Sequence, residues 1–237
     1  MQRQLVCVVP VLGGVAGKAA MVPVQRVGWG GVLMTALVYG NGSRIPQELF
    51  VLHYDRCDLL IAADGGAYNV LEHDVVPDVI IGDLDSYTGK APAGTELIHK
   101  PDQETNDLQK ALSYALERGV RRAVIAGGTG DRLDHGLNNL SVLQEYTPRF
   151  ESLIMIDIFG CYFVAAHDQR LDTYPGQTVS LFPLSGRVDG ITTEGLRYPL
   201  HDETLENGVR NGCLNQALAP TIRIRHAGGA LLVIIEH

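Results

Sequence analysis

Asp78-Val79-Ile80-Ile81-Gly82-Asp83-Leu84-Asp85-Ser86 is an apolar, strand-like run that stops at a glycine and is followed at once by two carboxylates. Residues two apart in an extended segment point the same way, so Asp83 and Asp85 are predicted to converge on one point. Two anionic groups held together repel unless something positive lies between them. A hard divalent cation is the usual partner, and such a cation at a strand end commonly carries phosphates. The stretch therefore predicts Mg²⁺-dependent phosphate chemistry at the end of a buried strand.

Working outward, the same arrangement recurs. Asp64-Gly65-Gly66 follows the apolar run Leu59–Ala63, and Gly127-Gly128-Thr129-Gly130-Asp131-Arg132-Leu133-Asp134-His135 follows Ala123–Ala126. Gln103, Thr105 and Asp107 stand where a helix is expected to open. Polar clusters repeated at strand ends are the layout of an open α/β site. Strands are predicted over 36–39, 59–63, 79–81, 96–99 and 123–126. A helix is predicted over about 105–118, with Leu108, Ala111, Leu112, Ala115 and Leu116 at helical spacing, Thr105 as N-cap and Gly119 just past the end. A second helix follows Asp134. Alternation of this kind gives a mostly parallel sheet flanked by helices.

Beyond Pro148 the character changes. Short strand-like runs at 153–159, 162–166, 178–182, 186–192, 213–218, 221–225 and 230–235 are punctuated by Pro175-Gly176, Pro183, Gly190, Pro199, Gly208 and Gly228-Gly229. That pattern predicts an all-β sandwich. The expected division is an α/β catalytic domain over residues 34–150 and a β-sandwich over 151–237, preceded by an extension at 1–33. Patterned structure begins only at Thr35, so Met34 is the expected native start. Arg3 and the apolar 5–17 stretch imitate a signal peptide only loosely, because Pro10, Gly13 and Gly14 interrupt it.

Over the 237 residues, 27 acidic against 19 basic side chains give a net charge of −8. A nucleic-acid partner, which favours a basic face, is not expected. No run is long and apolar enough for a bilayer-spanning helix. Cys7, Cys57, Cys161 and Cys213 are scattered without metal-ligand spacing, which fits thiols in a reducing cytoplasm.

Each polar cluster also has a plain structural explanation. Glycines at 65 and 66 admit close backbone approach to a ligand, and turn glycines are common. Asp107 serves either as a functional acid or as a charge at a helix N-terminus. Arg132 either neutralises a transferring phosphoryl group or pairs with Asp131 or Asp134. His135 is as readily structural as catalytic. No Walker loop and no G-x-G-x-x-G fingerprint is present.

Taken in order, Asp-Gly-Gly (64–66), Gly-Asp-Leu-Asp-Ser (82–86), Gln-x-Thr-x-Asp (103–107) and Gly-Gly-Thr-Gly-x-Arg-x-Asp-His (127–135) resemble the thiamine pyrophosphokinase family. Gly190–Leu200 resembles that family's β-domain signature, so the resemblance covers about residues 35–236. It implies an α/β domain joined to a β-sandwich, a homodimer with a shared active site, and transfer of the pyrophosphoryl group of ATP to the hydroxyl of thiamine. It implies that Asp64, Asp83, Asp85 and Asp107 hold Mg²⁺–ATP. Gly65, Gly66, Gln103 and Thr105 would line the pocket, and Arg132 and Asp134 would bind phosphate or orient groups. Asp83, Asp85, Asp107 and Arg132 would then be the catalytic set, with Asp83 or Asp107 taking the alcohol proton. One departure stands out: the family's Gly-x-Ser-Asn-Glu-like turn is Gly212-Cys213-Leu214-Asn215-Gln216 here. Leu214 replaces the serine, while Asn215 matches and is expected to keep part of the acceptor contact. This motivates one alternative, a pyrophosphokinase for another alcohol such as a hydroxymethylpterin; a further alternative, from another class, is a non-catalytic nucleotide- or thiamine diphosphate-binding regulator.

Overall fold

The structure is a computed structural model that describes residues 33–130 and 132–237. The expected extension at 1–33 therefore lies outside the described residues except for Leu33. The chain divides into two compact units between Ile158 and Phe159.

The first unit is an α/β layer. Strands β1 (Thr35–Tyr39), β2 (Leu59–Ala63), β3 (Val79–Gly82), β4 (Glu96–His99), β5 (Arg122–Ala126) and β6 (Ser152–Ile156) lie side by side in the order β6-β5-β1-β2-β3-β4. Every pairing among them is parallel. Parallel sheets are covered on both faces, and the central strands comply: Ala36 to Tyr39, Leu60 to Ala62, Ile80 and Ile81 are at most a few per cent exposed. The covering helices are α1 (Gln47–Tyr54), α2 (Gly66–Leu71), α3 (Asp107–Glu117) and α4 (Leu133–Tyr146). Helix α3 buries Leu108, Ala111, Leu112 and Ala115, the face its spacing predicted. Its N-cap is Asn106 and not Thr105. The Asn106 side chain accepts from Gln109 N–H at 2.8 Å, and the Gln109 side chain accepts from Asn106 N–H at 3.0 Å. That reciprocal capping box fixes the first turn more firmly than a lone hydroxyl.

The division falls later than the expected 150/151 boundary because Ser152–Ile156 extends the parallel sheet beside β5. A short apolar strand carries no mark of which sheet it joins. Only its pairing distinguishes β6 from the antiparallel strands that follow.

The second unit is antiparallel throughout. Strands β7 (Gly160–Val164), β9 (Thr178–Pro183), β12 (Gly212–Gln216) and β14 (Leu231–Glu236) run in the order β12-β9-β14-β7. Strands β8 (Asp168–Asp172), β10 (Arg187–Glu194), β11 (Glu203–Glu206) and β13 (Thr221–Arg225) form a second sheet, β11-β10-β13-β8. Phe163, Leu171, Leu181, Ile191, Leu205, Ile224 and Val233 are buried in this unit, as the strands of a sandwich require.

Candidate active site

In the first unit, strands β2, β3 and β4 lie to one side of β1, whereas β5 and β6 lie to the other. The chain leaving β1 goes on to β2 on one side and the chain leaving β5 to β6 on the other, and such a switch point is where open α/β sheets bind ligands. A cleft of about 540 Å³ lies there, walled by Gly40-Asn41-Gly42 after β1 and Gly128-Thr129-Gly130 after β5. Asn106 and Asp107 from the start of α3, and Arg132, Asp134, His135 and Asn139 around the start of α4, complete it. The two glycine loops are laced together: Gly42 N–H donates to Gly127 carbonyl at 2.8 Å, and Ser43 N–H donates to Thr129 carbonyl at 2.8 Å. Glycine is required at Gly42, where a Cβ would stand 2.1 Å from the Thr129 carbonyl oxygen. Asn139 steadies the second loop by donating to Gly128 carbonyl at 2.8 Å.

Beside the cleft, three carboxylates from three separate elements meet. Atoms of Asp64 (after β2), Asp83 (after β3) and Asp107 (first residue of α3) all lie within 4.8 Å of one another. Asp64 is buried and adopts φ 44, an uncommon conformation for a side chain with a Cβ. It is held there because its Oδ1 accepts from Tyr87 N–H and its Oδ2 from Ser86 N–H, both at 3.0 Å. Asp107 accepts from Asp83 N–H at 3.2 Å and from the buried Lys110 ammonium at 3.1 Å. Burial pushes the Asp107 carboxyl above its ordinary range, against the pull of Lys110. Asp83 is moved the other way, chiefly because Gln103 Nε2 donates to its Oδ2 at 3.0 Å. Gly82 makes room for the group: a Cβ on it would lie 2.7 Å from Asp64 Cβ and 2.9 Å from Asp107 Oδ1.

The expected convergence of Asp83 with Asp85 takes a different form. Strand β3 ends at Gly82, and Leu84 has φ 62, so the extended alternation stops between the two acids. Asp83 turns toward Asp64 and Asp107, whereas Asp85 is exposed and accepts from the Ser86 hydroxyl at 3.0 Å. Gly65 and Gly66 do permit a close approach, but the neighbour is the chain itself. A Cβ at Gly66 would meet the Tyr39 carbonyl oxygen at 2.2 Å, and one at Gly65 the Asn41 side chain at 2.4 Å. Thr105 turns its hydroxyl to Asp102 Oδ1 at 2.7 Å. Arg132 and Asp134 both line the cleft and form an exposed ion pair, with Arg132 Nε donating to Asp134 Oδ1 at 3.0 Å. That guanidinium holds the Asp134 carboxyl down to about 2.

Asn215 lies in the second unit and is buried. Its Oδ1 accepts from Tyr198 N–H at 3.0 Å and Gln216 N–H at 2.8 Å, and its Nδ2 donates to Tyr198 carbonyl at 2.7 Å. The amide thus pins the Tyr198 turn to β12. Leu214, by contrast, is exposed, with φ 58. Sequence reasoning passed over Gly40-Asn41-Gly42, Lys110 and Asn139. The pair of glycines directly after the first strand was the available signal for the loop. Lys110, three residues after Asp107, falls on the buried face of α3, where a cation is out of place unless paired.

The hard, all-oxygen donor set of Asp64, Asp83 and Asp107 suits a small divalent cation, which takes carboxylate ligands together with phosphate oxygens. A glycine-walled cleft beside it suits a polyphosphate.

Residues 50–155 match the model of the thiamin pyrophosphokinase catalytic domain, and residues 160–233 match that of the thiamin pyrophosphokinase substrate-binding domain. The two matches meet where the compact units divide. Thiamine pyrophosphokinase 1 of Oryza sativa subsp. japonica is 28% identical over 212 residues, covering 77% of this chain and 80% of that protein. The crystal structure of thiamine pyrophosphokinase from Bacillus subtilis superposes with a TM-score of 0.74 at 24% identity, covering 85% of this chain and 98% of the other. That of the yeast enzyme gives 0.77 at 15% identity, covering 89% and 88%, and likewise speaks for the fold. With both domains matched in order over most of its length, the chain belongs to the thiamine pyrophosphokinase family.

Proposed function

We propose that this protein transfers the pyrophosphoryl group of ATP to the hydroxyl of thiamine, giving thiamine diphosphate and AMP. The observation that carries the reading is the meeting of Asp64, Asp83 and Asp107 beside a glycine-walled cleft at the switch point of the sheet. Mg²⁺ would be held by these three acids, with the exposed Asp85 as a fourth. Bound there, it neutralises polyphosphate oxygens and fixes their orientation.

The remaining work falls to the chain. The thiamine oxygen attacks the β-phosphorus, the bond from that phosphorus to the oxygen bridging the α-phosphate breaks, and its electron pair leaves on AMP. Positioning and charge neutralisation supply most of the rate in such a transfer. Arg132 exchanges its ion pair with Asp134 for phosphate oxygens, for which its planar fork is suited. The alcohol proton passes to a carboxylate of this group, Asp83 or Asp107. Two backbone N–H groups orient the Asp64 carboxylate toward the group.

The homodimer with a shared active site and the cytoplasmic setting are parts of the same proposal, supported by the family resemblance and, for the setting, by the exposed Cys213 thiol. Exposed Leu214 favours a test of the acceptor as well as of the reaction. Purified protein with ATP and Mg²⁺ is expected to release AMP only when thiamine is present, and not with a hydroxymethylpterin. AMP release that ignores thiamine would refute the reading. Tight ATP or thiamine diphosphate binding without turnover would favour a regulator.

A further inference from the structure

Helix α2 begins two residues after Asp64 and lies along the loop that walls the nucleotide cleft: at its start a Cβ on Gly66 would stand 2.8 Å from the Gly40 carbonyl oxygen. Three residues at its far end hold that loop. Asn69 Nδ2 donates to Gly42 carbonyl at 3.0 Å and to Gly40 carbonyl at 3.4 Å. Glu72 accepts from Arg44 at 2.8 Å. His73, buried and stacked on Phe50 with ring centroids 4.1 Å apart, lies 3.2 Å from the Tyr39 hydroxyl through Nε2 and 2.6 Å from Gln47 Oε1 through Nδ1. Tyr39 is the last residue of β1, and its hydroxyl also accepts from Ile45 N–H at 3.0 Å.

The directions of these bonds are set by their ends. The Ile45 N–H can only donate, so it occupies the Tyr39 oxygen as acceptor and leaves the phenolic proton for His73 Nε2. Gln47 Oε1 can only accept, so Nδ1 of the neutral imidazole carries the ring proton. One buried chain thus runs from Ile45 through Tyr39 and His73 to Gln47 and closes the Gly40–Ile45 loop on both sides. At the other end of α2, Gly66 packs against the Tyr39 carbonyl, where a Cβ would stand at 2.2 Å.

We propose that Tyr39, Asn69 and His73 are positioning residues that couple the cleft wall Gly40–Gly42 to the metal-site acid Asp64 through helix α2. None of the three lines the cleft. They set the distance between the nucleotide wall and the acids, so their loss weakens ATP binding selectively. This rests on the proposed pyrophosphotransferase reading, since it takes the cleft as the ATP site.

The test uses the full chain with Tyr39→Phe, Asn69→Ala and, as a control for lost stability alone, Val142→Ala in the buried part of α4. ATP affinity is measured by calorimetry with Mg²⁺ and no acceptor, and KM values are measured for ATP and thiamine separately. Tyr39→Phe strands the Ile45 donor and the His73 acceptor and is expected to weaken ATP binding about tenfold. KM for thiamine should stay within about twofold, and Asn69→Ala should shift the same way. Val142→Ala should lower the melting temperature with no change in ATP affinity. Unchanged ATP affinity in Tyr39→Phe, an equal loss in Val142→Ala, or wild-type protein that does not bind ATP would overturn the inference. Wild-type turnover with thiamine reports on the parent reading separately: ATP bound and weakened as expected, without turnover, would refute that reading alone.

Discussion

Gly82→Ala tests whether the three acids act as a unit. The new methyl would point between two of them, 2.7 Å from Asp64 Cβ and 2.9 Å from Asp107 Oδ1. Asp64 is held by hydrogen bonds from Ser86 and Tyr87, so the methyl strains that anchor as well as displacing Asp107. Reaching the 3.4 Å of an ordinary contact moves the Asp107 oxygen by about 0.5 Å and Asp64 Cβ by about 0.7 Å. Misplacing a reacting group by 1 Å costs about a hundredfold, so half of that predicts a loss of about tenfold or more in kcat/KM. The fold should survive. Overpacking costs about 1–3 kcal/mol, offset by about 0.4–1 kcal/mol from the stiffer unfolded chain. At about 2–4 °C per kcal/mol for a chain of this size, the melting temperature should fall by less than about 10 °C. Thiamine-dependent AMP release and calorimetry measure the two quantities. A variant within about twofold of wild-type kcat/KM would refute the claim that Asp64, Asp83 and Asp107 work as one group.

Asp83→Asn and Asp85→Asn are each expected to abolish turnover while leaving the circular dichroism melt close to wild type, since neither carboxylate is deeply buried. Asp64→Asn should differ by also destabilising the fold, by about 1–3 kcal/mol in urea titration, because one of the two backbone N–H donors loses its acceptor. Asn215→Ala should destabilise the second unit by about 1–3 kcal/mol, with calorimetry as the check, because the Tyr198 turn loses its bonds to the amide. Burial lowers the folded-state pKa of His73, so its contribution to stability is present above the ordinary histidine value and is lost as pH falls through the folded value. Urea unfolding of the wild type should therefore weaken on acidification below about pH 6.5, and His73→Gln should lose that part of the dependence.

Much of this site was legible because chemistry and fold punctuate the chain at the same places. Apolar runs ending in Asp64, Gly82-Asp83 and Gly127-Gly128 mark both a buried parallel strand and a polar strand end, and β2, β3 and β5 stand where those runs predict. Helix α3 was legible because eleven residues give a full amphipathic period. Helix α2 was not, because six residues beginning with a glycine give no period to read. Strand β8 escaped for a related reason: Asp168-Gln169-Arg170-Leu171-Asp172 carries one large apolar residue, and Gln169 is buried beside it without a hydrophobic signature. Asp83 lies beside Asp85, whose N–H donates to it at 3.3 Å, and meets Asp64 and Asp107 as well, a convergence of distant elements that the 78–86 stretch alone does not announce. Asn215 matched a motif, and its environment shows a buried amide with a structural task.

The fate of the phosphorus atoms separates pyrophosphoryl transfer from every rival. With ATP labelled at the β-phosphorus, Mg²⁺ and thiamine, all transferred label should appear in thiamine diphosphate, with one AMP released for each, and Asp83→Asn should transfer none. Label recovered in ADP, or AMP formed without labelled thiamine diphosphate, would contradict that transfer.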